Sequence, residues 1–391
     1  MGTPKENIFL RVFNRAPEVW SSAPGRINLI GEHTDYNSGY VLPAAIHLRT
    51  HFLAAPRADG VVRIWAENFE EEEIFDLDSI TPSKGKRWAN YVKGIFWVLK
   101  QAGFKLGGVD GMIWGEVPLE SGLSSSAALE VSVVKGLNAL WATEIPPLEM
   151  AKLAQQAENE FVGVKCGLMD QFISVFARKD SAVFLDCQTL DYAYYPLNLE
   201  KAGLGILVYD TRVRRELAAS EYNRRRQEAA QALEILQTKG IRTYKGATEA
   251  VLESFRRDLE PKAYKRARHV ISENERVKKA VGALERDDFA ALGNLLFLSH
   301  ESLRDNYEVS CPELDLLYEV GKGFPGCLGA RLVGAGFGGS GIALIEKAAG
   351  EEFRKSLLLE AEKRGFPRPD FHEVSIGPGA DAARVDRPED L

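Results

Sequence analysis

Apolar residues along this chain recur at two periods, near 2 and near 3.6 residues, and segments of the two kinds alternate without a detectable repeat. That alternation requires layers of sheet and helix packed on one another, rather than a solenoid or an all-β sandwich. Val61 to Trp65 alternates in strand fashion, and the short apolar runs 182–185, 204–209 and 341–345 read as buried strands bounded by turns or charge. From Trp88, the residues Tyr91, Val92, Ile95, Phe96 and Leu99 fall on one helical stripe that Gly103 is placed to stop. Ser124 to Leu140 reads as a second helix, with Leu129, Val133, Leu137 and Leu140 along one stripe, and a third runs from about Pro147 to Phe161.

The length of 391 residues suits two domains at roughly 150 residues each. Residues 211–310 are helical in pattern and dense in Arg, Lys and Glu, whereas the first half holds most of the glycine-rich punctuation. A boundary is therefore expected near 200–208, giving domains 1–205 and 206–391. A composition of 45% hydrophobic and 27% charged residues excludes disorder, collagen and disulfide-scaffold classes. The net charge, 49 − 56 = −7, argues against nucleic acid or an anionic membrane surface as partner. The basic stretch from Arg256 to Arg268 then reads as a solvated helix face. Cys166, Cys187, Cys311 and Cys327 fit neither a disulfide framework nor paired metal ligands, which suits a reducing cytoplasm. No apolar run approaches about 18 residues and the start lacks a secretory core, so a soluble, unanchored protein is expected.

Three segments carry more Gly, Ser and polar residues than packing needs. In the first, Ala23 to Tyr36, a strand-like Ile27 to Ile30 would project Glu32, His33 and Asp35 from its end, a set suited to the hydroxyls of a sugar; a solvated polar turn uses the same residues. In the second, Val117 to Ala128, glycine and three successive serines precede a helix, where free backbone N–H groups and hydroxyls form a seat for an anion, phosphate above all. It is not a Walker A loop, because Gly-Lys-Ser/Thr is missing, as are the protein-kinase tripeptides. The third, Val333 to Gly341, is a glycine-rich loop with no acidic residue placed to support a dinucleotide fold, and a structural turn explains it equally. Between them lies Cys166-Gly167-Leu168-Met169-Asp170-Gln171, whose carboxylate could handle a hydroxyl proton.

The first segment resembles the galactokinases, within the galactokinase, homoserine, mevalonate and phosphomevalonate (GHMP) kinase superfamily. It matches Gly-Arg-x-Asn-Leu-Ile-Gly-Glu-His-x-Asp-Tyr-x-x-Gly-x-x-Leu-Pro-x-Ala-Ile at every fixed position. The serine loop, Gly-x-Met-Asp-Gln, the stretch Ser299 to Leu314 and the late glycine loop follow in the family's order, so the resemblance spans about residues 20–345. It implies an α+β fold: an N-terminal domain with a mixed sheet, and a C-terminal ferredoxin-like domain elaborated by helices, with substrates in the cleft between. It also implies Mg²⁺-dependent transfer of phosphate from ATP to the C1 hydroxyl of α-D-galactose. Catalysis would fall to Asp170 and Arg26, and sugar contact to Glu32, His33, Asp35, Gly167 and Tyr222. The triphosphate would lie on Gly122, Leu123, Ser124, Ser125, Ser126 and Ala127, adenine on Trp88, and the metal on Ser126 and Glu158. The late glycine loop would support these loops. Trp88 also sits on the apolar stripe of its helix, Glu158 suits a solvated helix face, and Tyr222 suits packing.

A carboxylate paired with a guanidinium keeps its charge at neutral pH, and can orient or accept a sugar proton while the cation offsets charge on the attacking oxygen. The chain departs from the family at Glu120-Ser121, where small residues are usual, and at Ser340, where Cys is frequent. An acidic side chain at 120 would have to point away from a triphosphate. Two rival readings share these residues. One is a kinase for N-acetylgalactosamine or another hexose. The other is a non-catalytic sensor of galactose and ATP, a class whose serine segment is shortened, whereas here it is complete.

Overall fold

The structure, a computed structural model, describes residues 4–119, 121–214 and 218–385. The first sheet is built from β1 (Val19–Asn28), β3 (Pro43–Arg57), β4 (Val61–Ala66), β5 (Glu71–Asp76), β6 (Gly108–Gly115) and β13 (Asp381–Arg384), in the order β13-β1-β3-β6-β4-β5. It is mixed: β4 and β6 run parallel and the other neighbours antiparallel. β4 buries alternate residues, as its period-2 pattern requires. The strand expected at Ile27 to Ile30 is corrected. β1 begins at Val19 and stops at Asn28, because Leu29 and Ile30 already bond back to Leu42 across the turn leading to β2 (Tyr40–Val41).

The helix Ser125–Trp141 lies across β1 and β3. Its expected stripe is too narrow a description: Val131, Val134 and even Glu130 and Ser132 are buried too. Helices Arg87–Gln101, Pro147–Gln156 and Met169–Phe176 pack against Ser125–Trp141, and the helix Pro4–Phe13 sets Phe9 and Phe13 against Leu53, Ala55 and Met112 of the sheet. The third expected helix ends as an α-helix at Gln156 and continues as a wider π turn over Ala157–Val162.

A three-stranded sheet joins β2 to β7 (Ser181–Asp186) and β8 (Tyr192–Pro196). The second large sheet holds β9 (Leu204–Asp210), β10 (Cys327–Val333), β11 (Ser340–Glu346) and β12 (Asp370–Val374), ordered β10-β11-β9-β12 and antiparallel throughout. That is the ferredoxin-like order, two split βαβ units. The crossover from β9 to β10 is elaborated by helices Ala218–Thr238, Glu249–Ser254, Pro261–Leu284, Phe289–Ser302 and Pro312–Gly323, and Gly350–Lys363 forms the other crossover.

Residue 205 is the second residue of β9, and β13 returns to pair with β1 in the first sheet. One apolar cluster draws Ile27, Leu29 and Ala128 from the first half together with Ile206, Leu296 and Val333 from the second. Among the described residues no helix is long and apolar enough to cross a membrane, and all four cysteines are free thiols.

Candidate active site

The loop before Ser125–Trp141 turns on positive φ at Gly122 (+77°) and Ser124 (+59°). Ser124 stands at the cap position, yet its hydroxyl makes no capping bond. It donates instead to Asp170 Oδ2. The first-turn N–H groups of the helix therefore stay open at its positive end. Gly122, Ser124, Ser125 and Ser126 line a cleft of 1010 Å³. Leu123 and Ala127 are buried and do not line it. Glu120 lies outside the described residues, and Ser121 is buried with its hydroxyl on the Pro118 carbonyl.

The first signature is physically joined to this loop. A Cβ on Gly25 would stand 2.7 Å from the Leu123 carbonyl oxygen and 2.9 Å from Val117 Cγ1. Glycine thus lets the strand approach, and the Arg26 N–H donates to that carbonyl at 3.0 Å. The Arg26 side chain is then aimed by three bonds: Nη1 to the Gly122 carbonyl (2.6 Å), Nε to Asp170 Oδ1 (2.9 Å) and Nη2 to Asp170 Oδ2 (2.7 Å). The last two form a bidentate fork, the strong geometry for a guanidinium and a carboxylate. Arg26 is 5% exposed, while the Asp170 side chain, in the first turn of Met169–Phe176, keeps 23% of its surface open. Behind the loop, a Cβ on Gly334 would stand 3.2 Å from the Gly122 carbonyl oxygen, so the late glycine loop backs the serine loop.

The polar turn after β1 forms the floor. Glu32 is buried and held by Arg331 Nη2 (2.5 Å), the Gly334 N–H (3.1 Å) and Asn28 Nδ2 (3.3 Å). Burial raises its pKa, and Arg331 and Arg26 pull the other way. His33 takes φ +62°, its Nδ1 lies 2.7 Å from the Tyr36 hydroxyl, and burial followed by His269 and Arg331 holds its pKa well below the ordinary value. The ring is neutral at pH 7. Asp35 is pushed up to about 7 by burial and by Asp170. Gly167 packs its backbone against the Asp35 carboxylate, and the Tyr222 ring lies 5.6 Å from His33 and 5.4 Å from Tyr36. Glu32, His33, Asp35, Tyr36, Gly167 and Tyr222 line the same cleft as Arg26 and Asp170.

Glu158, on the π turn, is not a solvated helix residue. It is buried and accepts from Gln171 Nε2 (2.7 Å), Cys166 Sγ (3.4 Å) and the Ser126 side chain. Burial and Asp170 raise it to about 7. Trp88 stands at the far end of the cleft with Nε1 on Glu71 (2.9 Å), its ring nearly parallel (8°) to Phe69 with centroids 6.4 Å apart.

Sequence reasoning missed Arg331, Phe69, Tyr36, Tyr307 and the pair Gln171–Glu130. Arg331 is distant in sequence and sits in an ordinary strand pattern, and Glu130 reads as the polar face of a helix that is in fact buried on most sides.

Known proteins resemble this chain over most of its length. The family model of the galactokinase galactose-binding signature matches residues 7–56, that of the GHMP kinase N-terminal domain residues 90–178, and that of the GHMP kinase C-terminal domain residues 280–361. A galactokinase of Roseiflexus sp. is 46% identical over 343 residues, covering 87% of each chain. A galactokinase of Exiguobacterium sibiricum is 43% identical over 381 residues, covering 96% of each. A crystal structure of Lactococcus lactis galactokinase complexed with galactose superposes with a TM-score of 0.92 at 40% identity, over 96% of this chain and 98% of that one. Methanococcus jannaschii mevalonate kinase shares the fold at 19% identity with a TM-score of 0.66. With its signature, both its domains and nearly its whole length accounted for in this way, the chain belongs to the galactokinase family of GHMP kinases.

Proposed function

We propose that this enzyme transfers the γ-phosphoryl group of ATP to the C1 hydroxyl of α-D-galactose, giving galactose 1-phosphate and ADP. The observation that carries the reading is the Arg26–Asp170 fork, set in one cleft between an open helix N-terminus and a cluster of buried polar groups. The helix end suits the triphosphate, held by the backbone from Gly122 to Ala127 and the hydroxyls of Ser125 and Ser126, while the Ser124 hydroxyl is committed to Asp170. The polar cluster, Glu32, His33, Asp35, Gly167 and Tyr222, suits a sugar. Adenine would reach the aromatic end at Trp88 and Phe69.

Asp170 is the group that orients and takes up the C1 hydroxyl proton. Arg26 fixes it in position and offsets the negative charge that builds on the attacking oxygen. Ser124 holds the same carboxylate from the loop side, which ties the proton acceptor to the phosphate seat and keeps oxygen and phosphorus close.

Among the described residues no group of three or more His, Cys, Asp or Glu could hold a metal ion. Mg²⁺ is commonly bound through one or two carboxylates together with phosphate oxygens and water. The adjoining hydroxyl of Ser126 and buried carboxylate of Glu158, both on the cleft wall, fit that pattern. Bound there, Mg²⁺ would neutralise charge on the transferred phosphoryl group. We take residues 1–205 and 206–391 as the two lobes, with β13 returned to the first. Free thiols throughout support a cytoplasmic setting.

The test is a coupled ADP-release assay over a sugar panel, with and without Mg²⁺. Galactose turnover that needs Mg²⁺ and exceeds turnover of N-acetylgalactosamine and other hexoses is the expected result; preference for another sugar would replace the substrate in this reading.

A further inference from the structure

His33 carries its ring on a left-handed backbone, φ +62°, a conformation that a residue with a Cβ keeps only where its surroundings enforce it. Rotation of the Glu32–His33 peptide would relieve it. The peptides on both sides of His33 are tied. Asn37 Nδ2 donates to the His33 carbonyl at 2.7 Å from within the same turn. The Glu32 carbonyl lies 3.0 Å from Nε2 of His269, on the helix Pro261–Leu284. A carbonyl oxygen only accepts, so Nε2 carries the proton of this bond.

On the same helix, one turn further on, stand Glu273 and Asn274, and all three residues are buried. Glu273 Oε1 accepts the Gly31 N–H at 2.9 Å, and Asn274 Oδ1 accepts the Tyr40 N–H at 2.8 Å. Both ends of the turn, and the peptide before His33, therefore rest on one helix. None of these three side chains lines the cleft, whereas Glu32, His33, Asp35 and Tyr36 of the turn do. Of the three, His269 is the one whose bond meets the peptide that sets φ at His33.

We propose that His269 is a positioning residue for the sugar: its Nε2–H fixes the Glu32–His33 peptide, which holds His33 left-handed and keeps the Glu32 and His33 side chains turned into the cleft. His269 acts through the turn and does not touch substrate. The step from turn to sugar rests on the galactose reading; the clasp on the turn does not.

The test compares His269→Gln, whose amide N–H can take the place of Nε2–H, with His269→Asn, whose shorter amide reaches only the place of Nδ1. Amide hydrogen exchange across residues 31–40 should be as slow in His269→Gln as in the parent, and about tenfold faster in His269→Asn. The Kd for galactose should rise roughly tenfold in His269→Asn and stay within about threefold in His269→Gln, with that for ATP within about twofold in both, the scale of one lost hydrogen bond. Parent-like exchange or galactose binding in His269→Asn, equal losses in the two variants, or a parallel loss of ATP binding would each overturn the proposal. A ¹⁵N-histidine spectrum of the parent at pH 7, with His269 identified by its loss in His269→Gln, needs no change at the clasp: protonation at Nε2 is expected, and a ring protonated at Nδ1 alone would overturn the proposal. A parent that shows the exchange difference but does not bind galactose would refute the sugar reading and leave the clasp standing.

Discussion

The Gly167 backbone lies so close to Asp35 that a methyl group at position 167 would overlap the Asp35 carboxylate. The glycine is required for space rather than for an unusual backbone angle. Gly167→Ala should displace Asp35 and raise the galactose KM by about tenfold or more, as small misplacements of binding groups do. The ATP KM should change little. Steady-state kinetics with each substrate varied in turn would show whether the two effects separate in this way.

Arg331 is fully buried and gives Nη1 to the carbonyls of Asn28 (3.1 Å) and Leu29 (3.0 Å) and Nη2 to Glu32. Removing it leaves a buried carboxylate unpaired, a loss of about 3–5 kcal/mol. Arg331→Leu should therefore unfold at markedly lower urea. Glu32→Leu combined with Arg331→Leu should recover part of that stability, read from the unfolding midpoints of the two variants.

Asp35 and Glu158 both titrate near 7 in the folded chain, well above ordinary carboxylates. A raised carboxyl pKa means that the folded state binds protons more tightly than the unfolded one. The favourable contribution is full below about 4 and is lost as pH climbs through 7. The ligand-free protein should thus lose thermal stability between pH 5 and 8, and Glu158→Gln should flatten part of that slope. Mg²⁺ with ADP should raise Tm more at pH 8 than at pH 6, where protons compete for Glu158. A thermal-shift series over pH, with and without Mg²⁺ and ADP, measures both.

Gly25 admits the Leu123 carbonyl to β1 and so sets where Arg26 can reach. Gly25→Ala should push the serine loop off the strand and loosen both the Gly122 and Asp170 contacts of Arg26. A fall in kcat of about 100-fold together with weaker ADP binding is expected, on the scale set by misplaced catalytic groups. Calorimetric titration of ADP into the folded variant checks the second half.

Much of the fold could be read from residue patterns where local and tertiary preferences coincide. β4, β7, β9 and β11 fall within a residue or so of their apolar runs, and Gly103 stops its helix at φ +84°. The candidate site was legible wherever its chemistry is concentrated in short segments, as in Gly25 to Tyr36, Gly122 to Ala127 and Gly167 to Asp170. It was not legible where the partner is remote. Nothing local announces that Arg331 will meet Glu32, or that Tyr307 will back His33 through Tyr36. Ser124 reads from the sequence as one of the serines of the anion seat, and only the turn of the loop shows its hydroxyl committed to Asp170.

The most direct measurement is the single-turnover rate of Asp170→Asn. Asparagine keeps the size of the side chain and the fold around it but cannot take up a proton. The phosphoryl-transfer rate should drop at least about 100-fold with galactose and ATP still bound and Tm close to that of the parent, the scale of general-base catalysis. A variant that transfers phosphate at nearly the parent rate would contradict the role given to Asp170 and to the Arg26 fork that holds it.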